Sequence, residues 1–261
     1  VARRVTSYAE LLELTGGDPY VRWGVPDPLA GEVLAVPGAV AVERRGRRHG
    51  LVVVPTPGDH PALGVDRMLA AIAEEGHVER LGLRSLSVPQ EHSALLEARF
   101  RLDGGGDWDW MWTTTAPGPV PGEERLVELD DTADAAELVE LAAHSPRGEG
   151  EPGTGVSELW LGIRDDHGRL VAAGAIQRLP SGAPHLAGIV VATDLRGRGL
   201  GAAVTAGLTR AGLADSGVCT LGMYSDNEAA RRTYVRLGYR TAWAWCSRRL
   251  AATETGRAAA G

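Results

Sequence analysis

An apolar run, Ile189-Val190-Val191-Ala192, empties into Arg196-Gly197-Arg198-Gly199-Leu200-Gly201, after which Leu200, Val204 and Leu208 recur at helical spacing. No other stretch narrows the fold of this chain so far. A strand that turns through glycines into a helix presents the first helical amides without intrahelical partners. Those amides and the helix dipole favour an anion, and glycines let it approach the backbone closely. Arg196 and Arg198 add planar, permanently charged donors. The stretch therefore predicts a phosphate cradle, although an ordinary tight strand-to-helix turn would use the same glycines.

The rest of the chain frames that turn. Residues 115–124, with three prolines and two glycines in Thr115-Ala116-Pro117-Gly118-Pro119-Val120-Pro121-Gly122, cannot continue a helix or a central strand. This predicts one domain over 1–115, a linker over 116–124, a second domain over 125–250 and a frayed tail over 251–261. The second domain reads as a strand over 125–129, a helix over 132–143 and a Gly/Pro/Glu loop over 144–155. Strands over 158–164 and 170–177 follow, joined by the turn Asp165-Asp166-His167-Gly168. A strand over 185–192, the glycine turn and its helix lead to a buried strand over 218–224. Ser225-Asp226-Asn227-Glu228 has capping-box spacing at the head of another helix, which Gly238 closes. The last strand, 239–247, alternates and puts Trp243 and Trp245 on one face.

The first domain echoes this plan. Leu51-Val52-Val53-Val54 leads to an amphipathic stretch over 66–75, a strand about 83–88, a helix about 93–100 and the aromatic strand Trp108-Asp109-Trp110-Met111-Trp112. Phe100 precedes Gly104 as Tyr234 precedes Gly238, which suggests a divergent duplication. Where the glycine turn should fall stands Pro57-Gly58-Asp59-His60-Pro61-Ala62-Leu63-Gly64. Two prolines remove amide donors there and an aspartate adds negative charge, so the first copy is not expected to hold phosphate.

Composition closes off several classes. All 27 basic side chains are arginine, so no lysine can serve as Schiff-base nucleophile or phosphate ligand. The formal charge of −7 with no basic stripe argues against nucleic acid. No apolar run approaches a membrane span, and Val1-Ala2-Arg3-Arg4-Val5-Thr6 lacks the apolar core of a secretion signal. The two cysteines, Cys219 and Cys246, sit in apolar surroundings and read as buried free thiols, so a cytoplasmic location is expected. The Ala-, Gly-, Val- and Arg-rich usage is that of a GC-rich bacterial gene. No cysteine–histidine cluster suggests a metal, and the Gly-x-Ser-x-Gly of a serine hydrolase is absent.

Downstream of the glycine turn lies Asn227-Glu228-Ala229-Ala230-Arg231-Arg232-Thr233-Tyr234-Val235-Arg236-Leu237-Gly238-Tyr239. Together the two motifs resemble those of the GNAT superfamily of acyl-CoA-dependent N-acyltransferases, Arg/Gln-x-x-Gly-x-Gly/Ala followed by Asn-x-x-Ala-x-x-x-Tyr-x-x-x-Gly-Phe/Tyr. The resemblance covers about residues 125–250. It implies an α/β fold with a mixed, splayed central sheet flanked by helices, preceded by a smaller, degenerate GNAT-like α/β domain. It also implies acetyl-CoA as cosubstrate and no metal. The pyrophosphate would rest on Arg196, Gly197, Arg198, Gly199, Leu200 and Gly201, and the pantetheine arm would run along Ile189, Val190 and Val191. Asn227 would cap its helix and touch the coenzyme.

Tyr234 matches the family's tyrosine at the CoA sulfur, where a phenol suits a leaving thiolate. Many members carry a glutamate where this chain has His185, which could take the amine's proton near neutral pH. Glu158, on a neighbouring strand, is the other carboxylate that could do so. The loop His144-Ser145-Pro146-Arg147, acidic through Glu149 and Glu151, falls where the family often binds its acceptor, though it also reads as a plain solvated loop. The implied activity is acetyl transfer to a primary amine of a small molecule, or to a protein amino terminus, by direct attack in a ternary complex. The protein would be a monomer or homodimer. A non-catalytic acyl-CoA-binding sensor is the alternative.

Overall fold

The computed structural model describes residues 1–45, 49–58, 60–145, 147–148 and 150–251. In chain order the elements are β1 (Arg3–Val5), α1 (Tyr8–Leu14), α2 (Pro19–Gly24), β2 (Val33–Val36), β3 (Ala39–Arg44), β4 (Gly50–Pro55), α3 (Pro61–Glu74), α4 (His77–Leu81), β5 (Ser85–Pro89), α5 (Ser93–Arg99) and β6 (Leu102–Thr113). There follow β7 (Leu126–Leu129), α6 (Ala135–Ala142), β8 (Leu159–Arg164), β9 (Leu170–Arg178), β10 (Pro184–Val191), α7 (Leu200–Ser216), β11 (Cys219–Tyr224), α8 (Glu228–Arg236) and β12 (Arg240–Leu250). The fold is mixed α/β, with strand order β1-β2-β3-β4-β5-β12 in one of its two units and β6-β11-β10-β9-β8-β7 in the other.

The chain forms two compact units, and neither is one continuous piece. The first takes Val1–Val21, Asp27–Trp108 and the chain from Ala244 on; the second takes Arg22–Pro26 and Asp109–Trp243. Two of the four changes of unit, at Trp108/Asp109 and Trp243/Ala244, fall inside strands, β6 and β12. The Pro/Gly segment 115–122 lies wholly within the second unit.

In the first unit β1 to β4 form an antiparallel meander, and β5 then runs parallel to β4. Val65, Met68, Leu69 and Ile72 of α3 recur at helical spacing and are fully buried against Leu34, Ala39, Ala41, Leu51 and Val53. Each such side chain contributes about 2 kcal/mol by leaving water. The sheet continues with β12, where Trp245–Arg249 pair antiparallel with Ser85–Pro89. Trp245 is fully buried, its ring edge-on to Tyr20 at 5.4 Å. The strands and helices before Leu51, which patterning did not resolve, are short or buried on both faces.

The second unit repeats the plan. β7, β8, β9 and β10 form the meander, and β11 runs parallel to β10 across the α7 connection. Its core joins Leu138 and Leu141 of α6, Val204 and Leu208 of α7, Trp160, Ile163, Val171 and Tyr239. The duplication inferred from sequence thus reappears as a repeated strand order. At α8 the expected capping box is replaced by a different arrangement. Asn227 is the cap, its side chain accepting from Ala230 N at 3.1 Å, while the Ser225 hydroxyl donates instead to Asp109 at 2.6 Å. Among the described residues no helix is long and apolar enough to cross a membrane.

Candidate active site

The parallel pair β10–β11 supplies the gap. Its register holds only at His185↔Thr220 and Leu186↔Leu221, although both strands continue. The cause lies in β10, where the ladder to β9 shifts between Ala187 and Val190. Gly188 sits in that bulge at φ +62°, and a Cβ there would come within 2.8 Å of the Gly150 Cα. Past the bulge, the Ala192 amide donates to Val171 O, so by alternation Val190 faces β9 and Val191 turns its backbone groups into the gap. Ile189 lies in the bulge itself.

The glycine turn closes the far end of the gap. A 3₁₀ turn, Thr193–Leu195, leads to an extended Arg196. Gly197 at φ +77° and Gly199 at φ +82° then adopt the left-handed conformation, with nothing within 4 Å of a would-be Cβ at either. Gly199 caps α7 without a side-chain bond, and the first intrahelical bond is Ala203 N to Gly199 O. The amides of Leu200 and Gly201 therefore stand ahead of the ladder. The Leu200 side chain is buried and anchors the helix start, while Gly197, Arg198 and Gly199 are exposed. Gly201 packs beneath Val191, whose Cγ2 would lie 3.4 Å from a Cβ.

The two arginines diverge. Arg198 makes no hydrogen bond or ion pair among the described residues and is free to meet an anion. Arg196 is already engaged: its Nη2 donates to His144 O at 2.5 Å and its Nε to Val191 O at 3.4 Å. His144 Nδ1 in turn accepts from the Thr193 amide at 3.3 Å. Arg196 thus ties the loop after α6 to the turn.

Tyr234 sits in the last turns of α8, whose end explains the spacing Tyr-x-x-x-Gly-Tyr. The Tyr239 amide donates to Tyr234 O at 3.0 Å and the Gly238 amide to Val235 O at 3.1 Å, with Gly238 at φ +91°. That is a Schellman stop, completed by the edge-on contact of the Tyr234 and Tyr239 rings, 6.0 Å apart. The stop uses the backbone and ring of Tyr234 but leaves its hydroxyl without a hydrogen bond among the described residues. Burial pushes that phenol up to about 12, so it stays protonated.

His185 lies at the base of the gap. The Thr220 hydroxyl donates its one proton to Pro184 O at 2.8 Å, so it accepts from His185 Nδ1–H at 2.9 Å. This leaves Nε2 as an acceptor. Burial lowers His185 to about 4, which keeps it neutral and a weak base. Glu158 is not free: Arg178 Nε donates to it at 2.7 Å, and Arg178 also bonds Asp215. Both cysteines are free and buried, and burial pushes each thiol up to about 11, away from nucleophilic use.

The loop after α6 lies beside the bulge. Leu138, Ala142, Ser145, Gly148, Gly150, Trp160, Gly188 and Val190 enclose a cavity of about 20 Å³, room for one water. Arg147 makes a bidentate pair with Asp226 at 3.0 Å and lies 4.5 Å over the Tyr224 ring. Pro146 and Glu149, both in the expected acceptor loop, lie outside the described residues, as do Asp59 of the first copy and residues 252–261 of the tail. His167 sits in a plain turn, its amide donating to Asp165.

Sequence reasoning missed Asp109. It is 1% exposed, accepts from Ser225 and pairs with Arg231 of α8. Its one visible signal was an acid between two tryptophans on an apolar strand.

Residues 130–239 match the family model described as Acetyltransferase (GNAT) family. Similar solved structures include a GCN5-related N-acetyltransferase from Sphaerobacter thermophilus, 17% identical, covering 95% of this chain and 94% of that one at TM-score 0.57. A GNAT-family acetyltransferase from Colwellia psychrerythraea is 15% identical, with 96% and 100% covered at TM-score 0.52. A GCN5-related N-acetyltransferase from Kribbella flavida is 17% identical, with 97% of each covered at TM-score 0.50. At these identities the likeness is one of fold. No curated protein sequence matches the chain.

Proposed function

We propose, on the premise that residues 130–239 belong to the acetyltransferase (GNAT) family, that the protein transfers an acetyl group from acetyl-CoA to a primary amine. The acceptor would be a small molecule or a protein amino terminus, attacking directly in a ternary complex. Acetyl-CoA supplies the acyl group as a thioester.

The observation that carries the reading is the pairing of a gap with a protonated donor. The gap between β10 and β11 ends on an open helix start, and the Tyr234 phenol of α8 has no hydrogen-bond partner among the described residues. The amides of Gly197 to Gly201 and the Arg198 guanidinium fit a pyrophosphate. The backbone of Val191 fits an amide-bearing arm that adds as a strand. Tyr234 donates a hydrogen bond to the sulfur as charge develops on it. His185 Nε2 offers an acceptor for a proton of the incoming amine, which must arrive neutral because so weak a base cannot deprotonate an ammonium. With no accessible cysteine nucleophile, an acyl-enzyme is disfavoured.

The weak base and the paired Glu158 favour a second reading, a non-catalytic acyl-CoA sensor. Free-thiol release from acetyl-CoA across a panel of primary amines separates the two. The transferase reading expects amine-dependent release that Tyr234→Phe depresses. Binding of acetyl-CoA with no amine accelerating release would leave the sensor.

A further inference from the structure

α8 is a short, polar helix, and Tyr234 is its one buried side chain. Apolar packing alone gives such a helix little purchase, so polar contacts must fix its position. At the C-terminal end the Schellman stop does so. At the other end the task falls to a buried carboxylate that the acetyl-transfer chemistry does not use. Asp109 Oδ1 accepts the Ser225 hydroxyl at 2.6 Å, and Oδ2 pairs with Arg231 Nη1. Arg231 Nη2 donates to Ser225 O at 2.7 Å, and its Nε lies 3.4 Å from Glu228. One buried anion thereby joins β6, the end of β11 and α8. Arg231 is one helical turn before Tyr234, on the neighbouring position of the same helix face.

We propose that Asp109 is a positioning residue for Tyr234: through Arg231 and Ser225 it sets the rotation and height of α8, and so the place of the Tyr234 hydroxyl. The inference rests on the reading of Tyr234 as the donor to the leaving sulfur. A phenol displaced by about 1 Å loses much of its contribution, as small misplacements of reacting groups cost up to about 100-fold.

The test compares Asp109→Asn and Arg231→Lys with Tyr234→Phe in the full chain. The Asn variant keeps size and a hydrogen-bonding oxygen but loses the charge. The expected result is a fall in kcat of about 10-fold for Asp109→Asn, with acetyl-CoA affinity by calorimetry changed less than about 2-fold. In a Tyr234→Phe background the same substitution should cost less than about 2-fold, since the group it positions is already gone. Equal losses in both backgrounds, or an unchanged kcat in a folded variant, would overturn the proposal. A second readout does not need activity. With five tyrosines in the chain, the ¹³Cζ signal of Tyr234 is assigned by its loss in Tyr234→Phe. It should move in both Asp109→Asn and Arg231→Lys. An unmoved signal overturns the positioning role even if Tyr234→Phe proves fully active, a result that would by itself refute only the donor reading. Should Asp109→Asn not fold, Arg231→Lys carries both readouts.

Discussion

The junction between β10 and α7 in the second unit and that between β4 and α3 in the first begin from the same plan and end as opposites. In each, a parallel strand pair is bridged by helix, α7 in the second unit and α3 with α4 in the first, and the pair holds register for only a few residues. In the second unit the turn into the helix is open: Gly197 and Gly199 have nothing near a would-be Cβ, and no side chain of the cap residue bonds the first amides. In the first unit the same place is packed shut. Gly64, in the first turn of α3, lies so close to the hairpin before β3 that a Cβ would fall 2.1 Å from Gly38 O. Pro61 enters at the head of α3, and the Thr56 amide is taken by Gly38 O at 3.0 Å. Glycine thus leaves the backbone open in one unit and permits close backbone packing in the other. The base of the strand pair differs too, for His185 of the second unit is matched by Gly50 in the first.

The strongest way to break this comparison is Gly199→Asp. A side chain at φ +82° is strained, and the carboxylate would repel the pyrophosphate. Acetyl-CoA affinity should fall about 1,000-fold or more, measured by calorimetry. The base of the strand pair gives the next effect. His185 has its folded value lowered to about 4, below the 6.5 of an unfolded histidine, so the unfolded chain binds the extra proton as pH falls. Stability should be full above pH 6.5 and drop by roughly 3 kcal/mol on reaching pH 4. Denaturant titrations of His185→Gln should lack that drop, and an unchanged slope would refute the buried neutral imidazole. Tyr234→Phe should lower kcat about 100-fold with coenzyme affinity nearly unchanged.

The first unit's junction supplies the converse. Gly64→Ala should destabilise the protein by about 2 kcal/mol through overpacking, read from the denaturation midpoint, while acetyl-CoA affinity is retained. Smallest is Arg198→Ala, expected to weaken acetyl-CoA about 5-fold at low salt and less at high salt. A larger loss from Arg196→Ala would come through the loop it holds at His144, not through direct contact with the anion.

What could be read from the sequence was what short-range chemistry decides. The strand before Arg196, the glycine turn, the helix from Leu200 and the stop at Gly238 each follow from residues a few positions apart. What escaped depends on partners far along the chain. Nothing in Trp108-Asp109-Trp110 or in Trp243 and Trp245 says that β6 would pass into the second unit and β12 into the first, because either aromatic strand suits either unit. The same distance hid Asp109 from Arg231, and Arg178 from Glu158. Arg196 matched its motif as a charge, yet its guanidinium is spent on a carbonyl of a loop that sequence treats as separate. Ser225 read as a cap because local spacing allows it, and a buried carboxylate outcompeted the helix amides.

The central claim is that one open junction, and not its closed counterpart, receives acetyl-CoA. Calorimetric titration of acetyl-CoA into the wild-type chain and into Gly199→Asp tests it most directly. The account predicts one molecule bound per chain and no detectable binding to the variant. Two molecules per chain, or an undiminished affinity in Gly199→Asp, would contradict it.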